Sequence, residues 1–233
     1  MRIMMLALAA MLASLGTAQN DKGPIRRRIA EAYGLAGFAQ VERLEFTFNV
    51  KLGDREIHRH WIWEPKTGKV TFRGKDEKGA EQTVNYVRTA DAKDLPADAK
   101  AADPMFVNDQ FWLLFPFHLV WDESATVDES GDAALPIGEG KAPRVLVKYP
   151  ASGGGYTPGD HYEAFLAPDL TLVQWSYHKA GGAEGKPATW EGYAHVGPLR
   201  LSLEHRGPND FHLWFTDVAA DLSGGGHVVP SKD

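Results

Sequence analysis

Histidine stands at position 58 and again at 60, in the run Ile57-His58-Arg59-His60-Trp61-Ile62-Trp63. On a β-strand that spacing puts both imidazoles on one face, where they could hold a transition metal. Such a site needs a third ligand, and His161, Glu163, His178 and His195 are the residues of suitable chemistry. The plainer reading is two hydrogen-bonded imidazoles on an accessible sheet face. A second grouping, Asp160-His161-Tyr162-Glu163, brings an acid, a base and a phenol together in sequence. Strand geometry divides it, because Asp160 and Tyr162 point one way while His161 and Glu163 point the other. No catalytic residue and no cofactor is assigned on this basis. No metal is assigned either, and His58, His60 and His161 are its only weak candidates.

The usual catalytic signatures are missing: there is no G-x-S-x-G elbow, no H-E-x-x-H helix, no P-loop lysine motif and no G-x-G-x-x-G. Ser152-Gly153-Gly154-Gly155 resembles a phosphate cradle in composition alone, since no Lys-Ser or Lys-Thr follows. The chain contains no cysteine, which removes disulfides, thiolate metal sites, a cysteine nucleophile and an acylated anchor. Its net charge of −6 gives a nucleic acid no electrostatic help. A metal-dependent hydrolase built around His58 and His60 stays open as an alternative, as does a protein-interaction module with a transient partner in the cell envelope.

Large apolar side chains carry the stronger signal. The 7 tryptophans and 11 phenylalanines are enough to line the concave side of a long sheet, each contributing about 2–3 kcal/mol if buried. Phe46, Phe48, Trp61, Trp63, Phe111, Trp112, Phe115 and Trp214 are the expected lining of an apolar site. The same residues would serve equally as a filled core, and composition does not separate the two.

The elements that must position these side chains follow from periodicity. Ile25, Ile29 and Ala32 predict one short helix after Pro24, closing near Gly34. From Val41 the period becomes two, with Leu44, Phe46, Phe48, Val50 and Leu52 on one face. Turn residues then separate further runs, predicting strands over 41–52, 55–64, 69–73, 81–87, 124–128, 143–149, 160–167, 170–178, 188–196, 198–206 and 210–218. Short connections favour an antiparallel meander. Residues 89–104 read as a solvated connection with room for a turn of helix, and 129–141 and 151–159 as loops. Asp103 and Pro104 can start a helix over 105–115 that Pro116 stops. That helix is apolar nearly all round and must be enclosed.

The fold expected is mainly β with few helices. A single curved antiparallel sheet of about 9–11 strands, half-barrel-like, carries an N-terminal helix and an apolar helix on its concave face. Residues 1–18, with Arg2, an apolar run and Ala18, have the layout of a cleaved signal peptide. Residues 19–222 are then one β-rich domain and 223–233 a flexible tail. No later run is long enough for a transmembrane segment, so the expected location is periplasmic or secreted.

Phe46-Thr47-Phe48-Asn49-Val50, the run from Asn108 to His118, Gly155-Tyr156-Thr157-Pro158-Gly159-Asp160 and Trp214-Phe215-Thr216-Asp217-Val218 resemble a family of uncharacterised exported bacterial proteins, a domain of unknown function. That resemblance implies no activity and no site residues. The architecture is similar to periplasmic lipoprotein-carrier half-barrels. This second resemblance implies non-covalent binding of a lipid, an acyl chain or another apolar small molecule.

Overall fold

The computed structural model describes residues 23–76, 79–88, 94–152, 158–182 and 184–233. The expected signal peptide and the glycines at 153–155 lie outside the described residues. Pro24 leads into α1 (Ile25–Ala32), which buries Ile29 and Ala30. Gly34 then turns the chain at φ 90° into α2 (Leu35–Phe38). A β-carbon on Gly34 would sit 2.0 Å from the Pro198 carbonyl oxygen, and one on Gly37 2.3 Å from Pro198 Cβ. Only glycine lets this corner rest on the turn at 197–198. Gly34→Ala is expected to cost more than about 1 kcal/mol. Gly53→Ala, with φ 59° and open space around it, should cost less in the same thermal melt, the difference reporting the Pro198 contact.

Four strands follow as a meander, β1 (Val41–Leu52), β2 (Arg55–Glu64), β3 (Lys69–Lys75) and β4 (Glu81–Val87). After α3 (Ala97–Trp121) come β5 (Thr126–Ala134), β6 (Lys141–Lys148), β7 (His161–Leu166), β8 (Leu172–His178) and β9 (Lys186–Thr189). The chain ends with β10 (Glu191–Val196), β11 (Leu199–Arg206), β12 (His212–Leu222), β13 (Gly226–Val228) and β14 (Ser231–Lys232). One sheet has the order β14-β10-β11-β12-β1-β2-β3-β4 with β13 on β12, and the other runs β5-β6-β7-β8-β9. Every pairing among the described residues is antiparallel.

The two ladders meet along one run of chain. The strand expected over 188–196 is interrupted at Trp190: β9 before it pairs with β8, and β10 after it pairs with β11. His205 Nδ1 on β11 donates to the Thr189 carbonyl at 3.0 Å, and the Trp190 amide donates to Val173 O at 2.9 Å. The expected antiparallel, mainly β architecture is therefore present and not closed into a barrel, but as two sheets of nine and five strands and not one, because the hydrogen-bond ladder breaks at Trp190. Tyr33 fastens this junction: its hydroxyl accepts from the Leu172 amide at 2.8 Å and meets Tyr193 Oη at 2.6 Å, while Tyr193 donates to Leu172 O.

Three expectations need correction. The helix predicted over 105–115 spans Ala97–Trp121, so part of the supposed solvated connection is helical and neither Pro104 nor Pro116 ends it. A proline inside a helix costs about 3 kcal/mol or more. Each fully buried leucine or phenylalanine gains about 1.5–3 kcal/mol, and Phe106, Leu113, Leu114, Phe115, Phe117 and Leu119 are all at most 1% exposed. Burial outweighs the prolines. Residues 129–132, expected in a loop, belong to β5, where the register shifts and Arg144 Nε donates to Ser130 Oγ at 2.8 Å. The tail expected to be flexible pairs instead, β13 with β12 and β14 with β10, and Arg200 forms an ion pair with Asp233.

Candidate functional site: a cleft beside the central helix

From Phe106 to Leu119 α3 is mostly apolar because most of its sides are packed against other elements. Phe106 meets Trp61 and Trp63 of β2, at ring-centre distances of 5.3 and 5.7 Å. Phe117 meets Tyr33 and Phe38 of the N-terminal helices, and Phe115 meets Tyr162, Trp175 and Trp190. The polar positions on α3 are its anchors. Asp109, fully buried, accepts from Arg59 Nε at 2.6 Å, Arg59 Nη2 at 2.5 Å, Trp61 Nε1 at 2.8 Å and Asn108 Nδ2 at 3.0 Å. Burial pushes its carboxyl above the ordinary value, against the Arg59 guanidinium and the Asn108 and Trp61 donors that favour the charge. One turn and a half earlier, Asp103 accepts from Tyr86 Oη and Arg88 Nε. These pairs set the height and rotation of α3 over β2 and β4.

With the helix so held, one of its faces stands off the second sheet. Pro104, Val107, Asn108, Phe111 and Trp112 repeat with the spacing of a single helical stripe. Opposite them are Tyr162 of β7 and, two apart on one strand face, Trp175 and Tyr177 of β8. Between the two walls lies a partly open cavity of about 270 Å³. Trp112 and Trp175 approach to 4.4 Å between ring centres, and Phe111 lies 5.4 Å from Tyr162.

The lining is uncharged. Tyr177 donates to Asp160 Oδ2 at 2.7 Å, and burial together with that carboxylate pushes its hydroxyl up to about 12. Burial raises Tyr162 further, so both phenols stay protonated near neutrality. One lining group is incomplete: Trp175 is 1% exposed and its indole Nε1 has no hydrogen-bond partner.

Of the eight residues expected to line an apolar site, Phe111 and Trp112 border this cavity. Phe46 and Phe48 pack edge-on to Phe215 inside the larger sheet, and Trp61 lies against Phe72 and Phe106. Phe115 is buried beneath the cavity floor between Tyr162 and Trp190, and Trp63 is half-buried against Phe38. Trp214 is on the other side of the sheet altogether. Antiparallel partners share a face, and Trp214 pairs with Asn49 whereas Phe215 pairs with Phe48. Its indole stacks on His212 at 4.3 Å.

Tyr162, Trp175, Tyr177, Pro104, Val107 and Asn108 were not in that expected lining. The stripe from 104 to 112 was legible as helical spacing, but a helix ended at Pro116 and begun at 105 left its outward face undefined. His58 and His60 do share a face, the outer one. His58 Nδ1 is 2.6 Å from Asn49 Oδ1, and His60 lies between Thr47 Oγ1 at 2.9 Å and Glu45 Oε1 at 3.1 Å. His161 is on the other sheet, stacked on His178 at 4.4 Å, so the three imidazoles do not converge. Among the described residues no group of three or more metal-ligating side chains comes together. Asp160 and Glu163 are likewise committed, to Tyr177 and Arg144 respectively.

No family model and no curated protein matches the chain. Solved structures do. A DUF1329 family protein from Desulfovibrio piger is 9% identical, with 85% of this chain and 91% of that chain covered and a TM-score of 0.48. A LolA superfamily protein from Nitrosomonas europaea is 7% identical over 84% of this chain and 93% of that one, TM-score 0.49. A domain from Vibrio parahaemolyticus, named for outer membrane lipoprotein sorting, is 12% identical over 86% and 94%, TM-score 0.43. Among the described residues of this chain no helix is long and apolar enough to cross a membrane.

Proposed function

We propose that this protein binds an apolar small molecule, a lipid or an acyl chain, non-covalently in the cleft between α3 and the β7–β8 hairpin, and that it does so in the cell envelope after export by its first 18 residues. The observation that carries the reading is the cavity of about 270 Å³ walled by Val107, Phe111, Trp112, Tyr162 and Trp175. An opening of equal volume beside β2, β3 and β4 has Glu64 and Lys69 in its lining, whereas this one is uncharged and bordered by three aromatic rings of the second sheet, the lining that suits an apolar occupant.

Size limits the occupant. An apolar cavity of about 150 Å³ holds benzene, and drug-sized ligands use about 300–1,000 Å³. A volume of about 270 Å³ suits a single chain end or one ring system, and a bundle of several acyl chains exceeds it.

Filling the cleft tests the proposal. Val107→Phe places a ring in the opening and should lower uptake of a fluorescent fatty acyl probe at least about tenfold, equivalent to some 1.4 kcal/mol. Trp214→Ala, on the far face of the sheet, should leave uptake unchanged. Equal uptake by wild type and Val107→Phe, with solvent extracts of native protein free of lipid by mass spectrometry, would count decisively against it.

A further inference from the structure

The wall of the cleft asks for one kind of polar atom. Trp175 lines the cavity, is almost wholly buried, and its indole N–H meets no acceptor. An indole N–H can only donate, and leaving such a group dry and unpaired costs about as much as a lost hydrogen bond. Behind it stand unpartnered polar atoms of both kinds. Trp190, its ring 5.3 Å from that of Trp175, has a second unpartnered N–H. His205, 5.2 Å from Trp112 and 4.7 Å from Trp190, donates from Nδ1 to Thr189 O, which leaves Nε2 as a bare acceptor with nothing to accept. Full burial holds this imidazole neutral, its pKa lowered to about 3. Three orphaned polar atoms thus cluster around one aromatic wall, and none of them carries charge.

The lining of the cleft holds no cation. Arg59 is clamped on Asp109, and the His118 ring, 4.8 Å from Phe111, is held between Gln110 Oε1 and Asp122 Oδ2. Two carboxylates stand behind the tyrosines, Asp160 behind Tyr177 and Asp122 behind Tyr149, and Lys186, opposite Tyr177 across the β8–β9 pairing, is exposed to solvent. Tyr162 and Tyr177 are neutral phenols. A ligand carboxylate buried among these side chains would lose hydration and gain no counter-charge from the lining.

We propose that the cleft selects a neutral amphiphile whose carbonyl oxygen, that of an acyl ester or amide, accepts from the Trp175 indole N–H, and that it discriminates against the matching carboxylate. The proposal rests on the binding function above and gives it a chemical class. Asn108 and Tyr177 form the polar part of the lining and the aromatic rings take the hydrocarbon. The carbonyl then supplies the single acceptor that the apolar wall lacks.

The experiment titrates the full chain with methyl octanoate, octane and octanoate, following calorimetry and the indole N–H resonances of the 7 tryptophans, with that of Trp175 assigned by its loss in Trp175→Phe. The ester is expected to bind about tenfold more tightly than octane and to shift the Trp175 resonance, which octane leaves in place. Trp175→Phe should bring the ratio of ester to octane affinity close to one. Octanoate should bind weakly at pH 7 and gain about tenfold per unit as pH falls towards the carboxyl pKa of about 4–5, while the ester shows no such dependence.

Equal affinity for ester and octane with an unmoved Trp175 resonance overturns the proposal and leaves the binding function standing, as does octanoate matching the ester at pH 7. Failure of all three probes to bind removes both. Should Trp175→Phe not fold, the ratio of ester to octane and the number of shifted indole resonances in the wild-type protein decide the matter unaided.

Discussion

Asp109→Ala should lower the unfolding free energy by about 3–5 kcal/mol, the range found when one partner of a buried ion pair is removed. Asp109 is fully buried, and the guanidinium it neutralises has a side chain only 16% exposed. Without the carboxylate, Arg59 keeps its charge beneath α3, where it lies 4.7 Å from the Phe48 ring. Trp61 Nε1 and Asn108 Nδ2 also lose their acceptor. In a chain of this length the change corresponds to a melting temperature lower by about 6–20 °C. A second variant isolates the cause. Arg59→Met combined with Asp109→Leu removes both charges and should be more stable than Asp109→Ala, because hydrophobic replacement of a whole buried pair is close to neutral. It should still fall short of wild type by about 1–3 kcal/mol, the cost of the stranded Trp61 donor. Urea melts of the two variants give the comparison, and a double variant as unstable as the single one would show that the loss comes from the hydrogen bonds and packing of Asp109 and not from the stranded Arg59 charge.

Phe115→Ala should cost about 3–5 kcal/mol and also enlarge the cleft. The ring is fully buried and contacts Phe111, Tyr162, Trp175 and Trp190 at centre distances of 5.1 to 5.9 Å. Three of those neighbours line the cavity, so the void left by the ring opens into it from below. The expected outcome is a protein that melts earlier yet accepts bulkier apolar probes, with affinity for a branched or aromatic ligand raised relative to a linear one. Calorimetry with paired linear and branched ligands separates the two effects. Loss of stability without any change in ligand preference would place Phe115 in the core only, with no bearing on the cleft.

These two residues mark where local pattern stops being informative. Asp109 interrupts an apolar run, and nothing in the flanking residues indicates that its partner is Arg59, fifty positions away on β2. The strand pattern around Arg59 does put it on the same face as Trp61 and Trp63, which is why it reaches inward. Trp214 shows the opposite limit. Its neighbours Leu213 and Phe215 are both buried, but three large apolar residues in succession do not reveal which of the two faces is the inner one. Pairing with β1 decides it, through Phe48 opposite Phe215. The bulge near Asp217, where φ is +52° and register shifts opposite β1, then resets the alternation for Val218 to Ala220.

Local periodicity by itself determined the strands β1, β2 and β4 to the residue, the antiparallel order that short turns enforce, and an enclosed apolar helix after position 104. Those features depend on interactions within a few residues or across one hairpin, so they are written in consecutive positions. The tertiary structure alone decided how far α3 extends past its prolines, where the ladder breaks at Trp190, and that the open space lies between α3 and β7–β8. Each of these depends on how much surface distant elements bury against one another, and that balance has no counterpart in the spacing of residues along the chain.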